Sequence, residues 1–279
     1  MALTRALIKR GAKDLRVLTV PVSSIQVDIL IGAGCIAELE TSGISLGEFG
    51  YAPRFRRAVE NGEIVIRDAT CPAIYAELQA SEKGAPFIPL RGILGSDVLA
   101  NRADWKTMDN PFAKGGDPVV LLPAVRPDVA IFHARYGDAN GNVWVGPRRE
   151  CVLLAHASAE CFVTVEEVWD GNLMDDERMV AGTIPPVYVG AVAHAPRGAW
   201  PLSLAGAYER DGFIFPYPVI AAPAACEIRA DLEAAESELA NAPEKLALLR
   251  AYPDRVLPSF DALIDRKSTR LNSSHQIIS

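Results

Sequence analysis

The stretch DVAIFHARYGDANGNVWVGPRRECVLLAHASAECFVTV, Asp128–Val165, carries the fold class. Val129–His133 is an apolar run of strand length. Asp138–Asn142 holds the Asn-Gly pair of a tight turn, and Val143–Val145 returns as the second arm of a hairpin-like excursion. Cys151–Ser158 then reads as a helix and Cys161–Val165 as a second apolar strand. A strand followed by a helix and another buried strand is a βαβ unit, which pairs its strands in parallel and covers them with the helix.

On either side the alternation repeats. Toward the N-terminus the pattern predicts a helix over Thr4–Arg10 stopped by Gly11, and strands at Leu15–Val20 and Val27–Ile31, the latter ending in Gly32-Ala33-Gly34. A helix at Arg54–Glu60, a strand at Glu63–Arg67, a helix at Ala73–Lys83 closed by Gly84, and strands at Phe87–Leu90 and Val119–Leu122 follow, with a loop-rich stretch over Arg91–Asp117. Toward the C-terminus, Val187–Ala193 reads as a strand and Glu227–Ala240 as an acidic helix. The expectation is an α/β fold: a single open, mostly parallel sheet flanked by helices, with no internal repeat and no second domain. Ligands in such sheets sit beyond the carboxyl ends of the strands. The loops singled out are therefore Gly32–Gly34, Arg91–Asp97 and Arg135–Gly141.

Composition narrows the function classes. With 49% hydrophobic and 23% charged residues the chain can build a sizeable core, and no apolar run is long enough for a membrane span. A net charge of −7 argues against general nucleic-acid binding. The first residues lack a cleavage site, so a cytoplasmic protein is expected. Five scattered cysteines, Cys35, Cys71, Cys151, Cys161 and Cys226, contain no C-x-x-C pair and read as reduced thiols, not as a disulfide framework or a metal site.

Among polar residues, Gly32 and Gly34 offer backbone N–H groups to an anion or simply form a tight turn; Ala37 leaves the dinucleotide-binding glycine pattern incomplete. Gly95, Ser96 and Asp97, with Arg91 before them, offer a hydrogen bond and an acid or base to a substrate carboxylate, or an ordinary helix start. His133 on its apolar strand reads as a satisfied core histidine, with orientation of a substrate as the alternative. His156 and His194 have no serine or cysteine partner at a recognisable spacing. Glu166-Glu167 end a strand as paired carboxylates, and Arg148-Arg149 either meet phosphates or begin a solvated helix. Glu60-Asn61-Gly62 sits where a helix ends, a capping position and not that of a nucleophile.

Several of these segments, in order, carry a resemblance. Asp28-Ile-Leu-Ile-Gly-Ala-Gly34, Asp109-Asn-Pro-Phe112, Val119–Pro123, Asp128–Ala134 with Asp138, Gly141 and Val143, Val163–Val168 and Ala195-Pro-Arg-Gly-Ala-Trp-Pro201 are similar to the alpha subunits of family I coenzyme A transferases of the glutaconate type, over nearly all of residues 3–220. The resemblance implies half of a shared active site. A glutamate of a beta-type partner, in a Ser-Glu-Asn-Gly context, attacks an acyl-CoA, forms an acyl anhydride and then a glutamyl-CoA thioester, and passes CoA to a carboxylic acid. It implies no catalytic nucleophile in this chain, coenzyme A as substrate, and no tightly bound cofactor or metal, while the loops at the strands' carboxyl ends place substrate binding at Gly32, Gly34, Arg91, Gly95, Ser96 and Asp97. A ring-opening CoA-thioester hydrolase of the same fold and a non-catalytic CoA- or metabolite-binding protein are the rival readings.

The ends depart from that pattern. Family members begin with a strand and a Gly-Gly turn before the first helix, so residues 1–264 are expected to be an N-terminally incomplete domain. The polar, aperiodic run Asp265–Ser279 resembles an in-frame translation of a DNA sequencing adapter and is expected to form no packed structure.

Overall fold

In a computed structural model of the chain, the described residues are 1–211 and the backbone of two short strands, 256–257 and 276–278. The helix read at Glu227–Ala240, and Cys226, lie outside them. The elements run α1 (Ala2–Arg10), β1 (Leu15–Leu18), α2 (Ile25–Gly32), β2 (Ile36–Thr41), α3 (Pro53–Glu60), β3 (Val65–Asp68), α4 (Cys71–Glu82), β4 (Phe87–Leu90), α5 (Asp97–Ala100), β5 (Lys106–Asp109), β6 (Pro118–Pro123), β7 (Val129–Gly137), β8 (Val143–Trp144), α6 (Arg149–Ala157), β9 (Glu160–Val168), β10 (Thr183–Ile184), β11 (Ala191–His194), β12 (Val256–Leu257) and β13 (Gln276–Ile278).

The main sheet has the order β12-β11-β9-β7-β13-β1-β2-β3, with every neighbouring pair on this path parallel. Among the described residues of this sheet, the hairpin strand β8, on β7, and β10, on β8, are the ones that run antiparallel. Apolar residues of α1, α2 and α3 cover one face, and those of α4 and α6 the other. The βαβ unit read from Asp128–Val165 is β7-α6-β9, and its strands pair over Val129–Gly137 and Glu160–Val168.

Three expectations change. First, Val27–Ile31 is not a strand but the body of α2. A short apolar run broken by a single residue, Asp28, is equally compatible with a buried strand and a buried helix, because neither leaves a polar stripe. Ile25, Val27, Ile29, Leu30 and Ile31 are all buried, and the chain leaves the helix through Gly34 at φ 64°, a left-handed conformation that glycine adopts without steric cost. The following strand is β2.

Second, the sheet is not single. β4, β5 and β6 form a separate three-stranded antiparallel sheet in the order β4-β6-β5. Its Val120 and Leu122 are buried, whereas Phe87 and Met108 on the opposite face are exposed. Antiparallel sheets tolerate such one-sided burial, and four-residue strands do not announce their partner's direction.

Third, Gln276–Ile278, within the run expected to lack structure, pairs in parallel with both β1 and β7. This pairing on both sides gives partners to backbone N–H and C=O groups on the facing edges of the two strands.

A buried ionic cluster joins β2 to α4. Arg102, 3% exposed, lies 2.7 Å from Glu40 Oε1 and 3.1 Å from Glu77 Oε1, and its Nη1 donates to the carbonyl of Asp68 at 3.0 Å. Trp105 Nε1 also donates to Glu77 Oε1, at 2.8 Å. Burial first, and the neighbouring Glu40 second, push the Glu77 carboxyl up to about 8 against the opposing pull of Arg102. The folded protein therefore holds a proton on Glu77 across a pH range in which the unfolded chain has already lost it. By linkage, stability from this group is fully present below the ordinary glutamate range and falls as pH rises toward 8. Denaturant melts of Glu77→Gln, whose amide mimics the protonated acid, are expected to lack this fall, so the variant gains on the wild type between pH 5 and 8. Parallel stability curves for the two proteins would contradict the assignment.

Candidate functional site

Successive strands β1, β2 and β3 step outward in one direction, and β7, β9 and β11 step outward in the other. The order reverses between β1 and β7, and the crevice beyond the carboxyl ends at such a reversal is where an open α/β sheet binds ligands. A cleft of about 390 Å³ opens there. Val20 and Val22, just after β1, form one side and Ile131, Phe132 and His133 of β7 the other; Arg148 and Glu150 come from the start of α6, and Ala199, Leu202, Ser203 and Leu204 close it. β13 pairs with β7 only at Val129 and Ala130, so Ile131–His133 border the cleft just beyond the ladder.

Behind this wall lies a hydrogen-bonded trio. His133 is opposite Thr164 in the β7–β9 register, and Glu166 follows two residues later on the same face of β9. His133 Nδ1 is 2.8 Å from Thr164 Oγ1, and Nε2 is 3.3 Å from Glu166 Oε2. Glu166 Oε1 also accepts the N–H of Arg197 at 2.9 Å. Burial lowers the His133 pKa, outweighing the upward pull of Glu166. For Glu166 burial alone would act upward, but the hydrogen bonds from His133, the Arg197 N–H and Tyr208 bring it below the usual range. The trio is thus a neutral imidazole between a carboxylate and a hydroxyl. Gly198 permits it: a Cβ there would come within 2.4 Å of His133 Cε1.

None of the six residues singled out for substrate binding lines this cleft. Gly32 and Gly34 close α2 and precede β2, at the amino edge of the sheet, because the segment before them is a helix. Arg91 follows β4 of the small sheet and grips Asp117, with Nε 3.0 Å from Oδ1. Gly95, Ser96 and Asp97 lead into the short α5, and Ser96 Oγ donates to the Ile93 carbonyl at 2.8 Å. Glu60 ends α3, exposed and paired with Arg56 at 2.8 Å, while Gly62 takes the left-handed turn at φ 66°. Glu166 and Glu167 do not pair with each other: successive strand residues face opposite ways, and Glu167 meets Arg135 at 2.8 Å. His133 is half-buried, with both ring nitrogens engaged, and it also borders the cleft. Thr164 escaped the sequence reading, since only the strand register brings it to His133.

The chain matches no protein-family profile. It is 34% identical over 217 residues to one of the subunits of the 3-oxoadipate CoA-transferase of Pseudomonas knackmussii, covering 75% of this chain and 74% of that one. The chain belongs to the coenzyme A transferase family. Its fold matches the crystal structure of the Acidaminococcus fermentans glutaconate coenzyme A-transferase with a TM-score of 0.74 and 27% identity, over 90% of this chain and 83% of the other. It is also 32% identical over 227 residues to the cholesterol ring-cleaving hydrolase IpdA subunit of Rhodococcus jostii, covering 76% of this chain and 73% of that protein.

For a member of this family, the carboxylates at the cleft and just behind its wall are informative. Glu166 is committed to His133 and Arg197. Glu150 occupies the first turn of α6, where the helix dipole favours a negative charge. Arg148, one residue before α6, brings a cation to the same mouth.

Proposed function

We propose that this chain is the alpha-type subunit of a two-subunit CoA-transferase, moving CoA between an acyl-CoA and a carboxylic acid through a glutamyl intermediate on a beta-type partner. The observation that carries the reading is family membership through a relative that is itself one subunit of a CoA-transferase, combined with a switch-point cleft that offers binding groups. The transferases it resembles are named for 3-oxoadipate and glutaconate, both dicarboxylates. A dicarboxylate or 3-oxo acid acceptor suits a cleft with Arg148 at its mouth, where a guanidinium pairs with a carboxylate. Coenzyme A is a substrate here and not a resident cofactor. The reading places the enzyme in the cytoplasm, in keeping with the free thiols Cys35, Cys71, Cys151 and Cys161 among the described residues.

Locating the covalent intermediate tests the proposal. The two-chain enzyme is incubated with acyl-CoA alone and treated with borohydride, which reduces a glutamyl thioester to an alcohol. Mass spectrometry should find the altered glutamate on the partner. Modification of Glu150 in this chain would overturn the reading. Glu60→Ala is expected to leave turnover of the complex within about twofold of wild type, since an exposed i,i+4 ion pair contributes only about 0.3–0.5 kcal/mol and the side chain is remote from the cleft. Abolished turnover in a folded variant would show that the nucleophile had been misplaced.

The hydrolase relative supports a second reading, a hydrolase that uses water to open a ring of a CoA thioester. A partner carrying Ser-Glu-Asn-Gly favours transfer, and a partner without that glutamate favours hydrolysis.

A further inference from the structure

Thr164 is 1% exposed but contributes to the cleft wall. We propose that Thr164 Oγ1 accepts a hydrogen bond from an amide N–H of the pantetheine arm of the CoA thioester, held as an acceptor by Glu166 and His133; this rests on the CoA-transferase reading.

The proton inventory leads there. Glu166 is an acceptor for the Arg197 N–H at 2.9 Å, and its second oxygen faces His133 Nε2 at 3.3 Å. A carboxylate has no proton to give, so the imidazole proton lies on Nε2. A neutral imidazole carries only one N–H, which makes Nδ1 an acceptor. The proton shared across the 2.8 Å contact must therefore come from the Thr164 hydroxyl. With that proton committed, Thr164 can offer the cleft only lone pairs. This is the carboxylate–imidazole–hydroxyl order of a catalytic triad, here with a hydroxyl almost wholly enclosed by its strand neighbours.

The surroundings select the donor. Ile131, Phe132, Leu154 and Leu202 make neighbouring walls of the cleft apolar. The pantetheine arm carries two amides between mostly aliphatic carbons, so an acceptor that lies beside these apolar side chains matches one of its N–H groups. A substrate carboxylate would set its own lone pairs against those of Thr164 and is directed instead toward Arg148. Gly198 leaves room for the ring of His133 in this orientation, since even a methyl group there would overlap the imidazole.

The arrangement is sensitive to pH. When His133 gains a second proton, Nδ1 becomes a donor to Thr164, and the hydroxyl proton turns into the cleft. The side chains whose charge acts on His133 are Glu166 on β9, which favours that proton, and Arg5 on α1, which opposes it together with burial; the buried Met1 amino group, its pKa lowered to about 4, is neutral in the same range. Tyr208 acts on the ring only through Glu166.

The test uses the complex of this chain with its partner. Thr164→Val is nearly isosteric and removes the acceptor, whereas Thr164→Ser restores it. Thr164→Val is expected to raise the KM for acyl-CoA about tenfold, the loss of one hydrogen bond, with the KM for the acceptor acid and kcat little changed; Thr164→Ser should return it to near wild type. Calorimetric titration with pantetheine, which needs no turnover, should show the same loss in the valine variant, and in the wild type as His133 protonates. An unchanged acyl-CoA KM, an equal rise for both substrates, no rescue by serine, or no pantetheine binding by the wild-type complex would each overturn the proposal. If the valine variant fails to fold, the pH dependence of wild-type pantetheine binding decides alone, and a flat profile refutes it. Failure of the transferase reading is separately visible, as a wild-type complex that binds pantetheine yet transfers no CoA.

Discussion

Asp28→Ala is expected to destabilise the fold by about 3–5 kcal/mol, the usual consequence of removing one partner of a buried, hydrogen-bonded ion pair. Asp28 has no solvent exposure, and Arg54 is 1% exposed. One carboxylate oxygen accepts the N–H groups of Arg54 at 2.8 Å and Phe55 at 2.9 Å, in the first turn of α3; the other meets Arg54 Nη1 at 2.8 Å. A side chain on α2 thus supplies the cap that α3 lacks locally, since Ala52 at its N-cap has no side-chain acceptor. Alanine would leave two N–H groups and a guanidinium buried without this carboxylate. Asp28→Asn keeps one acceptor oxygen and should fall between. Urea unfolding with an unchanged slope and a lowered midpoint is the measurement, and a loss below about 1 kcal/mol would show that the site relaxes or hydrates more easily than its geometry indicates.

Asp28 also illustrates what the sequence made legible. The alternation of short apolar runs with helices was visible on both sides of β7-α6-β9, because strand length and flanking turns are local properties. Which way a buried run folds was not, because Val27–Ile31 has no polar face to betray its period, and the residue that would have helped, Asp28, finds its partners 26 and 27 residues later. The same limit governs the site. His133 stood out on its strand, but its meaning depends on Thr164 and Glu166, which reach it only through the β7–β9 register. The glycine loop Gly32–Gly34 was placed at the wrong edge of the sheet by one strand-to-helix error. Arg91 and Asp97 followed a correctly read strand whose sheet was not the main one. The family resemblance was recoverable where the geometry was not, because an ordered series of motifs survives local misreading.

Purified without a beta-type partner, this chain is expected to transfer no measurable label from acyl-CoA to a carboxylic acid, and addition of the partner should restore exchange. The expectation follows from the division of groups at the cleft. A ping-pong exchange needs a carboxylate free to attack a thioester and donors poised on the resulting oxyanion. Here Glu166 is tied to an imidazole and a backbone N–H, Glu60 lies on the exterior with Arg56, and Glu150, which lines the cleft, sits in the first turn of α6, where the helix dipole stabilises its charge and weakens it as a nucleophile. Arg148, Thr164 and the apolar walls can hold substrates, but holding them without a nucleophile lowers no barrier to covalent transfer. Binding and turnover should therefore separate: calorimetry on the isolated chain can register pantetheine while radiolabel transfer stays at background. Exchange that grows linearly with time in the absence of a second polypeptide would defeat the shared-site reading and make Glu150, the remaining carboxylate at the mouth, the first residue to replace.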